Sequence, residues 1–376
     1  MSTAFDKISH IIRPHFLEMQ GYVSAGMLAG KDAERIFLNA NENPYELPGL
    51  EGYNRYPEPQ PPKLAAAMAA LYGVSAEQLT ITRGADEAIK LMTQITIEPF
   101  TEDLLINPPT FGIYRVDADI MPARNVISVP LLKSGGTFHL DVNGIKAALD
   151  DPANKIKLIF LTSPNNPTGN NLAPEDIRAV IDHAASKSLV VLDETYAEFT
   201  DQPSFTSQIR NYPHLVILRT LSKSYSLAGM RIGCAISSVP ELMQIMRTKV
   251  METYPIARGS SEAALKVLQP EILKIARENI KKIIKERERM REFLSAHKNI
   301  TTVYPSDRAL KRNHHARFVR RARHRRLHPP EHRNTGTKRS CHGFGKNILR
   351  RSTLRIIHQE SGIISAAATL KNCALS

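Results

Sequence analysis

The chain has 376 residues, of which 42% are hydrophobic and 23% charged, a composition that fits one large globular domain with a smaller one. No apolar run approaches the roughly 20 residues of a membrane-spanning helix, and the first residues show no signal-peptide core. The three cysteines are widely spaced and lack a Cys-x-x-Cys pair, which favours a reducing, cytoplasmic compartment and argues against a disulfide framework or a zinc site.

The net charge of +13 belongs to one tract near the C-terminus. Residues 308–351 contain 15 Lys and Arg and a single acid, Glu331, so the other 332 residues sum to −1. The main body of the chain is therefore nearly neutral, and the basic character of the whole sequence describes this tract alone.

Short apolar runs alternate with helical patterns over the middle of the chain, after a mixed arm at 1–35 and a Pro- and Gly-rich loop at 48–62. The helical patterns cover 63–72, 83–92, 141–150, 174–186 and 240–253. The strand-like runs cover 79–82, 103–106, 126–131, 156–162, 189–194, 215–218 and 232–236. This alternation predicts a parallel α/β sheet, and long charged helices follow from 259 to about 297.

Polar residues stand where three of these strands end. Asn166 lies in a dense set of turn formers after 156–162, Asp193 closes the next strand, and Lys223 follows the strand at 215–218. Ligands of parallel α/β sheets bind at the carboxyl ends of the strands. We therefore expect one binding site that contains all three residues.

Lys223 sits in a small-residue turn directly after an apolar strand. Desolvation in a cleft lowers the pKa of a lysine and frees its amine to attack carbonyls. A hydroxyl at Ser222 and a guanidinium at Arg231 would suit a phosphate. Together these residues indicate a pyridoxal phosphate (PLP) site. Taken alone, Lys223 would more often be a surface lysine, and the motifs in the rest of the chain favour the site.

Two further positions each allow two interpretations. Gly84 lies at a strand-to-helix junction, where the amides of Ala85 and Asp86 can form an anion site or simply begin a capped helix. Phe111 follows two prolines and a threonine, so a strand-end loop presents a ring that can stack on a flat ligand or seal the core.

With these motifs in place, the chain resembles the fold-type I PLP-dependent aminotransferases, and within them the histidinol-phosphate aminotransferase branch. The resemblance covers roughly residues 10–305 and implies a large domain with a mixed, mostly parallel sheet flanked by helices. The stretches that carry it are Leu38-Asn-Ala-Asn-Glu-Asn-Pro44, Asn54-Arg-Tyr-Pro57, Arg83-Gly-Ala-Asp-Glu87, Pro109-Thr-Phe-Gly112, Ser163-Pro-Asn-Asn-Pro-Thr-Gly169, Asp193-Glu-Thr-Tyr196 and Thr220-Leu-Ser-Lys223 with Gly229-Met-Arg-Ile-Gly233.

The resemblance implies a role for each residue around the cofactor ring. Lys223 would hold PLP covalently and act as the base that moves the substrate proton. Asp193 would pair with the pyridinium nitrogen and keep it protonated. Asn166 and Tyr196 would hydrogen-bond the phenolic oxygen, and Phe111 would stack on the ring.

At the phosphate, the resemblance implies contacts from Ser222, Arg231 and the backbone amides of Ala85 and Asp86. Tyr56 would reach the phosphate of the neighbouring subunit, which makes the active unit a homodimer. The implied reaction is transamination of L-histidinol phosphate with 2-oxoglutarate, in histidine biosynthesis. An aromatic-amino-acid aminotransferase or a threonine-phosphate decarboxylase would share the cofactor residues, so the sequence leaves these alternatives open.

Substrate contacts are expected from Tyr22, from the loop at Asn41 and from Arg355. Arg355 matches a Leu-Arg-[Ile/Val] strand in the family, but Ile357-His358 follows it where the family has other residues. We expect a large PLP-binding domain at 36–255 after the N-terminal arm, and an interdomain helix with the start of a small domain at 256–307. The region 308–376 departs from the family pattern, so the small C-terminal domain is predicted to be disrupted.

Three interpretations of the basic tract compete. It is a tail for nucleic acid or another anionic surface, a histidine-rich metal site without ligand spacing, or the product of a shifted reading frame. The abrupt boundary after Asp307 and the near-neutral main body favour the shifted frame. Nucleic acid is then not an expected partner. If the tract is instead a functional basic tail, the chain is an inactive or nucleic-acid-binding protein that acts through 308–351.

A chain truncated after Asp307 tests this interpretation. We expect it to bind PLP as tightly as the full chain, because every predicted cofactor residue precedes the tract. Titration of both proteins with PLP, followed by visible absorbance, measures the two affinities. Loss of binding on truncation would mean that the tract is structurally required. Salt-dependent binding of nucleic acid by the full chain would favour the basic-tail interpretation instead.

Overall fold

The computed structural model describes residues 3–21, 40–296, 306, 356–359 and 363–366. The α-helices are α1 (Pro14–Glu18), α2 (Pro62–Tyr72), α3 (Gly84–Thr96), α4 (Ile113–Ile120), α5 (Val142–Asp150), α6 (Pro174–Ala184), α7 (Pro240–Ile245), α8 (Arg258–Val267) and α9 (Pro270–Ser295). The strands are β1 (Leu79–Thr82), β2 (Asp103–Ile106), β3 (Asn125–Ser128), β4 (Leu132–Ser134), β5 (Thr137–His139), β6 (Ile156–Thr162), β7 (Leu189–Asp193), β8 (Leu215–Thr220), β9 (Gly233–Ser237), β10 (Ile356–Gln359) and β11 (Ile363–Ala366).

The chain divides into two units. The first contains the described residues up to Arg287, together with Ser306. The second contains the end of α9 and an antiparallel hairpin of β10 and β11. The domain boundaries expected from the sequence stay predictions. In the described parts of the chain, no helix is long and apolar enough to cross a membrane.

Seven of the described strands form one sheet in the order β1-β9-β8-β7-β6-β2-β3. The pairs from β8 to β3 are parallel, whereas β9 runs antiparallel to both of its neighbours. The predicted mixed, mostly parallel sheet is therefore confirmed. The central strands β7 and β8 are buried at every residue, which explains why they read as continuous apolar runs instead of alternating ones.

The sheet separates two apolar layers because neighbouring residues of a strand point to opposite faces. On one face, Ile159 and Leu161 of β6 pack in a cluster with residues of α2, α5, α6 and α8. On the other face, Leu158 and Phe160 pack with the N-terminal segment, α3, α4 and α7. Burying each of these apolar side chains stabilises the fold by roughly 1.5–3 kcal/mol relative to exposure.

Most of the predicted elements are present, with differences at a few places. The segment 107–114, expected as a strand-end loop, becomes helical from Ile113, and the hairpin of β4 and β5 was not expected. The predicted helix at 240–253 is α-helical only to Ile245 and then continues as a π-helical turn over Met246–Val250. Gly73 ends α2 in the left-handed conformation, as its position after the helical pattern indicates.

A buried carboxylate ties together the amino ends of three strands. Asp103, whose side chain is fully buried, pairs with the guanidinium of Arg124. It also accepts hydrogen bonds from the Lys155 amide at 2.7 Å and from the Asn125 side chain at 3.1 Å. Burial opposes the charge, but these donors outweigh it and lower the pKa of Asp103. The carboxylate thus sets the alignment of β2, β3 and β6 at the edge opposite the predicted site.

The Asp103→Asn substitution should destabilise the protein by about 2–3 kcal/mol at neutral pH, since it weakens hydrogen bonds to a buried charge. Because the folded pKa of Asp103 is lowered, its contribution is complete above the unfolded value of about 3.9 and is lost as the pH falls below that value. Urea unfolding at pH 7 and near pH 3 should show the gap between wild type and variant shrinking in acid. The exposed Asp119→Asn serves as control, and a gap that does not change with pH would contradict this assignment.

Candidate active site

A cleft opens where β1, β2, β6, β7 and β8 end. The space among its lining residues is about 470 Å³, and this figure includes open solvent at the mouth of the cleft. The residues that line it are Ala85, Asp86, Phe111, Thr162, Asn166, Asp193, Thr195, Tyr196, Thr220, Ser222, Lys223 and Arg231.

The structure therefore brings together every predicted cofactor residue except Tyr56. The three threonines of the lining, Thr162, Thr195 and Thr220, were missed by the sequence analysis. Two of them end β6 and β8, so their position at a strand end was the signal that could have found them.

The start of α3 forms one end of the cleft. Gly84 is the first helical residue, and the side chain of the N-cap residue Arg83 makes no capping hydrogen bond to the first-turn amides. Ala85 and Asp86 of this first turn line the cleft. Arg231 lies beside them, with its Nη2 3.1 Å from the Asp86 carboxylate. Helix amides together with a guanidinium bind phosphate, because both present N–H donors and positive charge. A phosphate here would compete with Asp86 for Arg231.

The turn after β8 presents Lys223. The Thr220 hydroxyl lies 3.0 Å from both the Ser222 hydroxyl and the Ile232 carbonyl, and it accepts a hydrogen bond from the Ser222 amide at 3.2 Å. On the other side of the lysine, Ser224 donates to Glu198 at 2.9 Å. The Lys223 ammonium lies 5.6 Å from the centre of the Tyr196 ring. The turn is thus held on both sides of the amine.

A buried charge cluster lies behind this turn. Arg219 of β8 pairs with Glu194 at 2.9 Å and also with Glu198, and all three side chains are nearly inaccessible to solvent. Burial raises the pKa of Glu194, while for Arg219 the two carboxylates outweigh burial and raise its pKa. Glu194 follows Asp193 in the chain and Glu198 binds Ser224, so the cluster holds the backbone that carries two cleft residues. Sequence analysis missed it because its members are separated by 21 and 25 residues.

Asp193 is the buried carboxylate of the cleft, with only 4% of its surface exposed. It accepts hydrogen bonds from the Thr195 amide at 2.9 Å and from the Tyr114 hydroxyl at 2.7 Å. Burial raises the pKa of Asp193, and the hydrogen bonds from Thr195 and Tyr114 only partly oppose it. A cation bound against this carboxylate would restore its charged form.

These features fit PLP. A protonated pyridine ring supplies a cation that can pair with the buried carboxylate of Asp193. A phosphate can accept hydrogen bonds from the amides at the start of α3 and from Arg231. An aldehyde suits the amine of Lys223, and Phe111 supplies an aromatic face. The donor set is therefore complementary to each functional part of that cofactor. In the described parts of the chain, no cluster of His, Cys, Asp and Glu could hold a metal ion.

The remaining predicted site residues lie away from the cleft or in parts of the chain that the structure does not describe. Tyr56 is 57% exposed and its ring stacks on Tyr254 at 4.4 Å. Glu42 accepts from the Tyr56 amide at 2.6 Å and so joins two motifs of the resemblance, whereas its neighbour Asn41 is exposed. Tyr22 and Arg355 lie outside the described residues, so the predicted substrate contacts stay predictions.

Residues 31–310 match the family model described as aminotransferase class I and II. The chain belongs to this family. The match ends close to Asp307, where the sequence departs from the expected pattern. The chain is 38% identical to the histidinol-phosphate aminotransferase of Xylella fastidiosa (strain 9a5c), over 81% of this chain and 82% of that protein. It is 39% identical to the one of Sodalis glossinidius over 80% and 81%. The resemblance seen in the sequence is thereby confirmed.

Solved structures of aminotransferases share the fold. The histidinol-phosphate aminotransferase of Clostridium acetobutylicum aligns with a TM-score of 0.60 at 24% identity, over 70% of this chain and 74% of that one. The enzyme of Sinorhizobium meliloti, solved in complex with pyridoxal-5'-phosphate, aligns with a TM-score of 0.58 at 23% identity, over 68% and 66%. The expected fold class of the large domain is thus confirmed.

Gly84→Ala tests the anion site at the start of α3. Gly84 has a φ of +76°, and a Cβ there would come within 2.7 Å of Arg231 Nη2. The substitution should push the guanidinium away from the helix start and weaken PLP binding by about tenfold, the loss of one charge-assisted hydrogen bond.

Gly73→Ala is the matched control. Gly73 has a φ of +68° but no atom within 4 Å of the added Cβ, so this variant carries similar backbone strain without touching Arg231. Both variants should lose thermal stability, and only Gly84→Ala should lose affinity in a PLP titration. Equal affinities for the two variants would exclude Arg231 and the helix start as the phosphate site.

Proposed function

We propose that this protein is a PLP-dependent aminotransferase that transfers the amino group of L-histidinol phosphate to 2-oxoglutarate in histidine biosynthesis. The observation that carries the proposal is the cleft, in which Lys223, a buried Asp193 and an uncapped helix start meet. It belongs to a chain that is 38% identical to a histidinol-phosphate aminotransferase over most of its length.

In this proposal, Lys223 holds the cofactor and then moves a proton from the substrate Cα. PLP supplies an electron sink for the carbanion formed at that carbon. Asp193 holds its charge against the ring nitrogen, and Asn166 and Tyr196 donate to the phenolic oxygen. Phe111 covers the ring face.

The phosphate of the cofactor is held by the start of α3 in this proposal. The amides of Ala85 and Asp86, the Ser222 hydroxyl and the Arg231 guanidinium would be its donors. Their positions at one end of the cleft support these roles.

We also propose that the active unit is a homodimer in the cytoplasm. Tyr56 is exposed and does not line the cleft of its own chain, which suits a residue that reaches the cofactor phosphate of a second subunit. Tyr45 and Leu47 nearby are also strongly exposed, at 80% and 67%. Apolar exposure of this kind is typical of a surface that a second copy covers.

The alternative functions are less well supported. An aromatic-amino-acid aminotransferase or a threonine-phosphate decarboxylase would use the same cofactor residues, but the relatives from Xylella fastidiosa and Sodalis glossinidius are named histidinol-phosphate aminotransferases. A nucleic-acid-binding role would act through 308–351, which lies outside the described residues. Tyr22, Asn41 and Arg355 are the proposed substrate contacts.

Lys223→Ala tests the proposed function. In an assay of glutamate formed from L-histidinol phosphate and 2-oxoglutarate, its turnover should fall on the order of a thousandfold or more, because the proton carrier is lost. Lys187→Ala, which removes a partly exposed lysine paired with Asp150, is the matched control and should keep full activity.

The wild-type protein decides between the substrates. Activity with L-histidinol phosphate and not with aromatic amino acids supports the proposal, whereas the opposite preference overturns the substrate assignment. A visible cofactor band that appears with PLP but does not respond to any of these substrates would mean a working cofactor site with an impaired substrate half. Absence of the band would refute the aminotransferase function itself.

A further inference from the structure

Tyr114 lies directly behind the cleft, in the first turn of α4, and its side chain is fully buried. Its ring stacks on Phe160 of β6, with centroids 4.5 Å apart and an angle of 6° between the planes. It also contacts Phe111 edge-on, at 5.8 Å and 87°. The ring is therefore held from two sides, and its hydroxyl has a defined position at the end of β6 and β7.

The direction of the hydrogen bonds at this hydroxyl follows from the protons available. The Tyr114 oxygen lies 2.7 Å from Asp193 Oδ2 and 2.7 Å from the Thr162 hydroxyl. A carboxylate can only accept, so the single phenolic proton goes to Asp193. Thr162 must then donate its own proton to Tyr114. Burial, followed by the charge of Asp193, raises the pKa of Tyr114 well above its usual value, so the phenol keeps this proton at all working pH values.

Both oxygens of Asp193 therefore have a donor of their own. The Thr195 amide binds Oδ1 at 2.9 Å, and the Tyr114 hydroxyl binds Oδ2 at 2.7 Å. The two bonds set the plane of the carboxylate and favour its charged form against burial. The Thr195 bond comes from the backbone next to Asp193, whereas the Tyr114 bond comes from a different element. Tyr114 is thus the side chain that links the carboxylate to the loop of Phe111.

We propose that Tyr114 is a positioning residue, whose phenol keeps Asp193 charged and aimed at the ring nitrogen of the cofactor. This inference rests on the proposed function, since it assigns the purpose of Tyr114 to the ring that Asp193 would face. Tyr114 does not touch the reacting atoms. It acts through Asp193, so its effect must depend on whether the bound ring has a nitrogen.

A thermodynamic cycle between protein and cofactor tests this dependence. The proteins are wild type and Tyr114→Phe, which keeps the ring packing and removes only the hydroxyl. The probes are PLP and its analogue in which the ring nitrogen is replaced by a C–H group. Tyr114→Phe should raise the dissociation constant of PLP about tenfold, the size expected for a hydrogen bond to a buried charge. It should change that of the carbon analogue less than twofold.

Tyr72→Phe is the matched control. Tyr72 is also buried in the core of the same unit, and within the described residues its hydroxyl has no hydrogen-bond partner. Loss of this hydroxyl should leave both dissociation constants within twofold of wild type. Thr162→Val gives a second variant, since it removes the donor to Tyr114 without altering the tyrosine. It should weaken binding in the same direction as Tyr114→Phe but by a smaller factor.

The outcomes separate this inference from the proposed function. In one outcome, wild type binds PLP, and Tyr114→Phe weakens the binding of PLP and of the carbon analogue by the same factor. This result would assign Tyr114 a structural role and would overturn the inference alone. A Tyr114→Phe variant with wild-type affinity for both probes would overturn it as well. Wild type that fails to bind PLP would refute the proposed function, and the inference would fall with it.

Discussion

The burial of one carboxylate at the end of a parallel strand is the constraint that shapes this site. Asp193 has almost no contact with solvent, and burial raises its pKa despite two hydrogen-bond donors. A charge in such a place needs a cation, and the geometry leaves the cleft as the side from which a cation can come. The carboxylate and its donors are therefore arranged to bind a cationic group of a ligand in the cleft.

At the start of α3, the site presents hydrogen-bond donors that suit a negatively charged group. The amides at the start of α3 and the guanidinium of Arg231 present positive potential, and Gly84 lets the two approach closely. Lys223 lines the same cleft, in a turn held by Thr220 and by Ser224. A ligand that carries a cationic ring at one end and a phosphate at the other would thus bind through two separate electrostatic contacts.

The buried cluster of Arg219, Glu194 and Glu198 supports both ends from behind. A buried ion pair contributes little net stability when compared with apolar residues, but it is costly to break. Its value here is positional, because its members neighbour Asp193 and Lys223 along the chain. Together with the link from Tyr114 to Asp193, it shows that the cleft residues are held by side chains that do not themselves line the cleft.

The sequence by itself determined the strands of the seven-stranded sheet, most of the helix starts and the residues at the strand ends. These features are local: apolar runs, turn formers and an end-of-helix glycine act over a few neighbouring residues, so Asn166, Asp193 and Lys223 could be assigned to one edge. Only the tertiary structure decided the antiparallel place of β9, the helix that begins at Ile113 and the partners of Asp193 and Arg219. Tyr114 and Asp193 are 79 residues apart, and no periodic pattern encodes such a pairing. It arises because the sheet brings β6 and β7 together under α4, and packing of that kind depends on the whole fold.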